Sequence, residues 1–244
     1  MLTKSHTKLI ISLSQKKIRQ QEQLFVVEGI KGIKEFLNSE FELHLLFSTE
    51  SIFDAGTILI SDKELQKISV LKSPNTAVAI FNIPKIKNLE PNGLIVALDD
   101  VRDPGNLGTI IRLCDWFGIK SLVCSSATVD CYNFKVVQAT MGSLARVDIQ
   151  YTDLENFIAD YEHEVFGTFM DGDNIYSQAL PDQGMIVMGN EAHGVSEPIE
   201  KRITKKLSIP RFGDLKAAES LNVATATAIV LSEFRRFSMG SETP

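Results

Sequence analysis

From residue 94 onward the chain alternates between two hydrophobic periods, and this constrains its fold more than any other feature. Residues 94–98 form a short, wholly apolar run. Residues 106–117 then place Ile110, Leu113, Cys114 and Phe117 at i, i+3, i+4 and i+7, one face of a helix. Gly118 follows, and its tolerance of positive φ suits the residue just past a helix end. The pattern repeats with expected strands at 121–124, 147–151, 165–169, 185–188 and 207–209. Expected helices lie at 133–141, ended by Gly142, at 154–161, and at 221–237. Strands that read as unbroken apolar runs between helices predict an α/β fold, with a mostly parallel sheet covered on both faces.

The first third reads as a separate, smaller α/β unit. Residues 24–29 make a strand ending at Gly29, and 30–38 carry Ile30, Ile33, Phe36 and Leu37 at helical spacing. Strands are expected at 43–48, 57–60 and 78–81. Ser61 followed by Glu64 fits a capping box that opens a short helix. A stretch rich in turn formers, Ile83-Pro84 through Pro91-Asn92-Gly93, marks the boundary. The expected division is residues 1–86 and residues 92–244, and 244 residues suit a small module joined to a mid-sized one.

Several function classes fall away. No apolar run is long enough to span a bilayer. The N-terminal decapeptide MLTKSHTKLI lacks the features of a secretory signal. Cys114, Cys124 and Cys131 form no C-x-x-C pair, and His6, His44, His163 and His193 show no ligand spacing. A reducing cytoplasm and no metal site are expected. There is no P-loop, no G-x-G-x-x-G dinucleotide fingerprint and no G-x-S-x-G nucleophile elbow.

Charge at first argues against a nucleic-acid partner, because the chain totals -6. The distribution is uneven, so the total does not settle the question. Residues 1–90 hold 12 Lys/Arg and 10 Asp/Glu, and the acidic excess belongs wholly to the remainder. The first 20 residues carry Lys4, Lys8, Lys16, Lys17 and Arg19 with no acid. On charge alone, a solvated helix face is the commoner reading of such a stretch.

Three loop clusters lie where expected strands end, the position at which open α/β sheets hold ligands. The first runs from Asp99 to Arg112. Asn106 is suited to cap its helix, and Arg112 points about 200° away from the apolar stripe. An exposed arginine and an anion contact both fit that position. The second runs from Met188 to Ser196, with Gly189 and Gly194 bracketing Glu191. The third runs from Ile209-Pro210 to Ser220-Leu221-Asn222-Val223, with Ser220 as the expected cap of a last helix apolar nearly all round.

In this order and spacing the clusters resemble the signature of the SpoU/TrmH family of SPOUT RNA methyltransferases. Residues 102–112, with Arg102-Asp103-Pro104-Gly105-Asn106 leading to Arg112, look like motif 1. Gly189-Asn190-Glu191 through Gly194-Val195-Ser196 look like motif 2. Ile209-Pro210 with Ser220-Leu221-Asn222-Val223 look like motif 3. Lys17-x-Arg19 and Phe25-Val26-Val27-Glu28-Gly29 are similar to the RNA substrate-binding module, an L30e-like fold, that precedes this domain in family members. Two positions depart from the pattern: Ala192 stands where glycine is frequent, and the stretch from Arg211 to Ala218 is insertion-like.

The resemblance implies a SPOUT domain with a deep trefoil knot, a cytoplasmic homodimer with shared active sites, and S-adenosylmethionine as methyl donor without a metal. The implied acceptor is a ribose 2′-hydroxyl of RNA, with 23S-type ribosomal RNA favoured over transfer RNA by the two-domain layout. It assigns Gly189, Ile209 and Leu221 to the cofactor slot through main-chain groups, and Lys17 and Arg19 to RNA. It gives Arg112 the activation of the hydroxyl, either as base or as phosphate clamp, with Asn106, Glu191, Ser220 and Asn222 organising the site. The rival readings are a non-catalytic RNA-binding or ribosome-assembly factor of the same fold, and a small-molecule methyltransferase.

Overall fold

The computed structural model describes residues 1–53, 56–85, 92–213 and 220–238. The chain divides into two compact units. Unit 1 holds residues 1–86 and 130–146, and unit 2 holds residues 87–129 and 147–244. Most of the expected boundary stretch (86–91) and of the insertion-like loop (214–219) lies outside the described residues.

Unit 1 begins with two short helices, α1 (Lys4–Ser12) and α2 (Lys16–Glu22). They are followed by β1 (Leu24–Glu28), α3 (Ile30–Leu37), β2 (Leu43–Ser48), β3 (Thr57–Leu59), α4 (Asp62–Ile68) and β4 (Ala77–Asn82). The sheet order is β1-β4-β2-β3, with β4 antiparallel to both of its neighbours and β2 parallel to β3. All five residues of β1 are buried, so the sheet is covered on both faces. Leu24 and Val26 join Ile10, Leu13, Phe47, Leu65 and Ile68 in one core layer. Phe25, one residue out of phase, points the other way into an aromatic cluster with Phe36, Phe41 and Phe81. The expected capping box opens α4: the Glu64 amide donates to Ser61 Oγ, and the Ser61 amide donates to Glu64 Oε2 at 2.9 Å.

Unit 2 contains β5 (Leu94–Leu98), α5 (Pro104–Trp116) and β6 (Ser121–Ser125). The chain then leaves it for residues 130–146, which contain α6 (Phe134–Thr140) and belong to unit 1. There the Tyr132 ring lies 4.8 Å from Phe25. The sequence reading placed this segment with the second domain. The chain returns through β7 (Asp148–Thr152), α7 (Leu154–Ala159), β8 (Val165–Asn174), β9 (Gly184–Met188), α8 (Glu197–Glu200), β10 (Lys205–Ser208) and α9 (Val223–Ser238).

The sheet of unit 2 has the order β10-β8-β9-β5-β6-β7, and every pairing in it is parallel. Ile95, Ala97, Met185 and Val187 pack with Leu154 and Ile158 of α7 and Ile199 of α8. Helices α5 and α9 pack together, and Phe234 of α9 meets Phe166 of β8 edge-on at 5.0 Å. Two expected caps are corrected. Asp103, not Asn106, caps α5: its Oδ1 accepts the Asn106 amide at 2.8 Å, and Pro104 fills the first helical position, where a missing N–H costs nothing. Asn222, not Ser220, caps α9: its Oδ1 accepts the amides of Ala224 and Thr225 at 3.0 and 3.2 Å.

Candidate active site

The strand order places a topological switch point between β5 and β9. The chain runs outward from β5 to β6 and β7, then crosses to β8 and fills back in with β9. Because all strands are parallel, the loops after β5, β9 and β10 leave the same edge of the sheet. Ligands of open α/β sheets bind at that edge.

Four tethers join the β5 and β9 loops and the start of α9. Asp99, buried at the end of β5, accepts the Ser196 amide at 2.7 Å through Oδ2. Asn190 Nδ2 donates to the Asp100 carbonyl at 2.7 Å. Asn106 Nδ2 donates to Glu191 Oε1 at 2.8 Å. Asn222 Nδ2 donates to Asn106 Oδ1 at 2.9 Å. The last two form a directional chain. The α9 amides occupy Asn222 Oδ1, so its NH₂ must face Asn106. The Asn106 carbonyl is thereby filled and its NH₂ must face Glu191. The positive end of the α9 dipole thus runs through two amides to a carboxylate.

Gly189 is where the β9 loop turns back on itself. A Cβ there would stand 2.3 Å from the Gly194 carbonyl carbon and 2.4 Å from the Val195 nitrogen, so only glycine fits. Gly194 takes φ +71, and its amide and carbonyl pair with those of Asn190. Ala192, the departure from the family pattern, is exposed, and its amide donates to Asn190 Oδ1 at 2.8 Å.

The structure thus brings together Asn106, Glu191 and Asn222, with Gly189 two residues before Glu191 in the same loop. Arg112 lies six residues along α5 from Asn106, about 9 Å of helix rise. It is exposed and makes no hydrogen bond or ion pair with any described residue. Ile209 follows the end of β10 and is partly buried. Ser220 is exposed, and Leu221 is 50% exposed. Lys17 is exposed on α2.

Arg19 corrects the sequence reading. It is 3% exposed. Its Nη1 donates to the carbonyls of Leu13 and Ser14 at 2.8 and 2.9 Å, and its Nε donates to Asp130 Oδ2 at 3.0 Å. These groups close the end of α1 and hold residues 130–146 within unit 1, so the guanidinium is not available to RNA. The sequence reading also missed Asp99, Asp100 and Asn190, whose side chains set the loop geometry.

Among the described residues, no group of three or more His, Cys, Asp or Glu could hold a metal ion, and no helix is long and apolar enough to cross a membrane. The three cysteines are buried, and burial pushes the Cys114 thiol up to about 12, which leaves it protonated at neutral pH.

Comparison with known proteins adds to this geometry. The model of the SpoU rRNA Methylase family matches residues 93–232, and that of the MRM3-like substrate binding domain matches residues 4–79. The chain is 28% identical, over 234 residues, to the 23S rRNA (guanosine(2553)-2′-O)-methyltransferase RlmP of Bacillus subtilis (strain 168), covering 91% of this chain and 93% of that protein. A putative RNA methyltransferase of the TrmH family from Porphyromonas gingivalis superposes with a TM-score of 0.89 at 36% identity, over 97% of this chain and 99% of the other. An AdoMet-bound rRNA methyltransferase from Sinorhizobium meliloti gives a TM-score of 0.86 at 30% identity, over 97% and 96%.

Proposed function

Because the chain belongs to the SpoU rRNA methylase family, we propose that it transfers the methyl group of S-adenosylmethionine to a ribose 2′-hydroxyl of 23S-type ribosomal RNA. The observation that carries this reading is the hydrogen-bonded chain Asn222–Asn106–Glu191, assembled from the start of α9, the first turn of α5 and the loop after β9. A fold kept only for binding RNA has no need of such a chain.

The cofactor slot is Gly189, Ile209 and Leu221. None of the three has a polar side-chain group, so every polar contact there is made by main chain, which suits the edge of a flat heteroaromatic base. When bound, S-adenosylmethionine supplies an electrophilic methyl on a sulfonium. The protein's part is alignment and charge placement. Arg112 acts as a phosphate clamp that orients the ribose. A guanidinium keeps its proton in proteins, and its donors are committed to no described residue. Asn106, Glu191, Ser220 and Asn222 shape the site around the acceptor. The exposed Lys17, with Lys4, Lys8 and Lys16 on the same basic stretch, contacts RNA backbone. The reading includes a trefoil knot in unit 2, a homodimer with shared sites and a cytoplasmic location.

Ribosomal RNA from cells lacking the protein, incubated with it and S-adenosylmethionine, is expected to gain a 2′-O-methyl group at one nucleotide, mapped by protection of the adjacent phosphodiester from alkali. Absence of transfer to ribosomal RNA, together with no calorimetric heat on titration of S-adenosylmethionine, would establish the assembly-factor alternative. Transfer to transfer RNA alone would reassign the substrate.

Gly189→Ala is expected to weaken S-adenosylmethionine binding by about 10- to 100-fold, because backbone must move to admit the methyl group. Calorimetry measures this directly. Wild-type affinity in the variant would place the cofactor elsewhere.

A further inference from the structure

We infer that Asn190 is a positioning residue of the methyl-transfer site, fixing through its side-chain amide the place of the Glu191 carboxylate and the shape of the loop that begins at Gly189. The inference rests on the function proposed above and extends the structural tether made by Asn190 to a part in the reaction.

Every hydrogen-bonding group of Asn190 is used. Its amide and carbonyl pair with Gly194 at 2.8 and 2.9 Å, closing residues 190–194 into a ring. Its Oδ1 accepts the amides of Ala192 and His193 at 2.8 and 3.1 Å, filling the inside of that ring. Its Nδ2 reaches out of the ring to the Asp100 carbonyl at 2.7 Å, with Asp100 Oδ2 at 3.3 Å.

Asp100 is itself held firmly. It sits in the left-handed region at φ 59, a conformation that a non-glycine residue keeps only where its surroundings enforce it. The enforcing contacts are present. Its amide donates to Ser125 Oγ at 2.9 Å, and Ser125 Oγ is 3.1 Å from Thr128 Oγ1, which donates to the Leu98 carbonyl at 3.2 Å. Arg102 Nε donates to its Oδ1 at 2.7 Å. A strained residue anchored to β5 and β6 therefore presents one carbonyl to one amide on the facing loop. Glu191 is the next residue after that amide, and it meets Asn106 from the place so defined. This side-chain link between the β5 loop and Glu191 runs through Asn190 and is independent of the Asn106 contact.

The arrangement makes a specific demand on chemistry at position 190. One terminal atom must accept and the other must donate, and the donor faces two oxygens of Asp100. Asparagine meets this demand. Aspartate has the same shape but turns the donor into an acceptor and sets a negative charge against a carbonyl and a carboxylate. Protonation of that aspartate restores a donor. The Asp100 carboxylate, with that of Glu191 next in the chain, disfavours the charged form and raises the pKa of the new acid above the usual carboxylate range, while Arg102, through Asp100, and the imidazole of His193 in the same ring act in the opposite direction.

Asn190→Asp is therefore expected to weaken S-adenosylmethionine binding and lower kcat/KM by about 10- to 100-fold at pH near 8, the range for a partly buried polar group left facing an acceptor. Both losses, taken as ratios to the wild type at each pH, are expected to shrink as pH falls toward about 5. A role limited to general stability does not predict a pH-dependent ratio. Adding Asp100→Asn to Asn190→Asp removes the like charge and is expected to return part of both quantities at pH near 8, which gives a second readout where the single variant folds poorly. A pH-independent ratio for the single variant, or no recovery in the double variant, would overturn the assignment. Failure of the wild type to transfer methyl at all would overturn the proposed function itself, and the two failures are distinct because S-adenosylmethionine affinity is measured without turnover.

Discussion

Arg112→Ala is expected to lower kcat/KM for methyl transfer by about 10²- to 10⁴-fold, the range for loss of a positioned charge or proton-handling group, and to leave S-adenosylmethionine affinity close to that of the wild type. The separation follows from where the residue lies. Arg112 is on the exposed face of α5, opposite Ile110 and Cys114, which are fully buried. It supports no described neighbour, so its loss removes no tether, and alanine is the better helix former. The fold and the Gly189 loop should be untouched, and the loss should fall on the step that needs the RNA aligned. Arg112→Lys keeps the charge but not the planar fork, and is expected to recover only part of the activity. Single-turnover transfer alongside calorimetry checks both halves. Transfer by Arg112→Ala at the wild-type rate would remove Arg112 from the mechanism.

Arg19→Ala should produce the largest loss of stability, about 3–5 kcal/mol, as expected when one partner of a buried ion pair is removed. Asp130, with its side chain 13% exposed, would keep a charge with no cation beside it. The carbonyls of Leu13 and Ser14, just past the end of α1, would lose their donor. A falling midpoint in urea is the measurement. The salt dependence of RNA binding should keep its wild-type slope. Lys17→Ala should behave in the opposite way, changing stability by no more than about 0.5 kcal/mol and reducing the salt slope by roughly one phosphate contact. A stable Arg19→Ala variant with a shallower slope would return the residue to the RNA-binding surface.

The alternating pattern was legible because parallel strands buried on both faces must be apolar throughout, and helices over them must repeat near 3.6 residues. Asn106, Glu191 and Asn222 could be nominated for the proposed site by resemblance, but the contacts among them were not legible. Capping residues illustrate the difficulty. Asp103 and Asn106 are equally good caps by type, and only Pro104 distinguishes them, since it favours the first turn. Asn106 is then free to act sideways. Strand β8 runs to Asn174, five residues past its apolar run. Asp171, Gly172, Asp173 and Asn174 have little strand propensity, and the last two are held by pairing with Leu207 and Ser208 on β10. Asn190 and Asp100 resemble ordinary turn formers until their partners, 90 residues away in the chain, are seen. Arg19 is the same case in reverse. A basic residue in a basic stretch reads as surface, and its acid lies 111 residues further on.

That separation bears on how the protein is made. The module that emerges first from the ribosome is incomplete when residue 86 appears, since Asp130 and Tyr132 have not been synthesised. At about 5–20 residues per second, the roughly sixty residues needed to reach Arg146 take about 3–12 s. Until residues 130 and 132 are made, Arg19 lacks its counter-ion and Phe25 lacks one of its four ring partners. The N-terminal module is therefore not a detachable cassette. A graft of residues 1–86 onto another enzyme would carry an unfilled aromatic layer, and only a transplant that includes residues 130–146 would restore it.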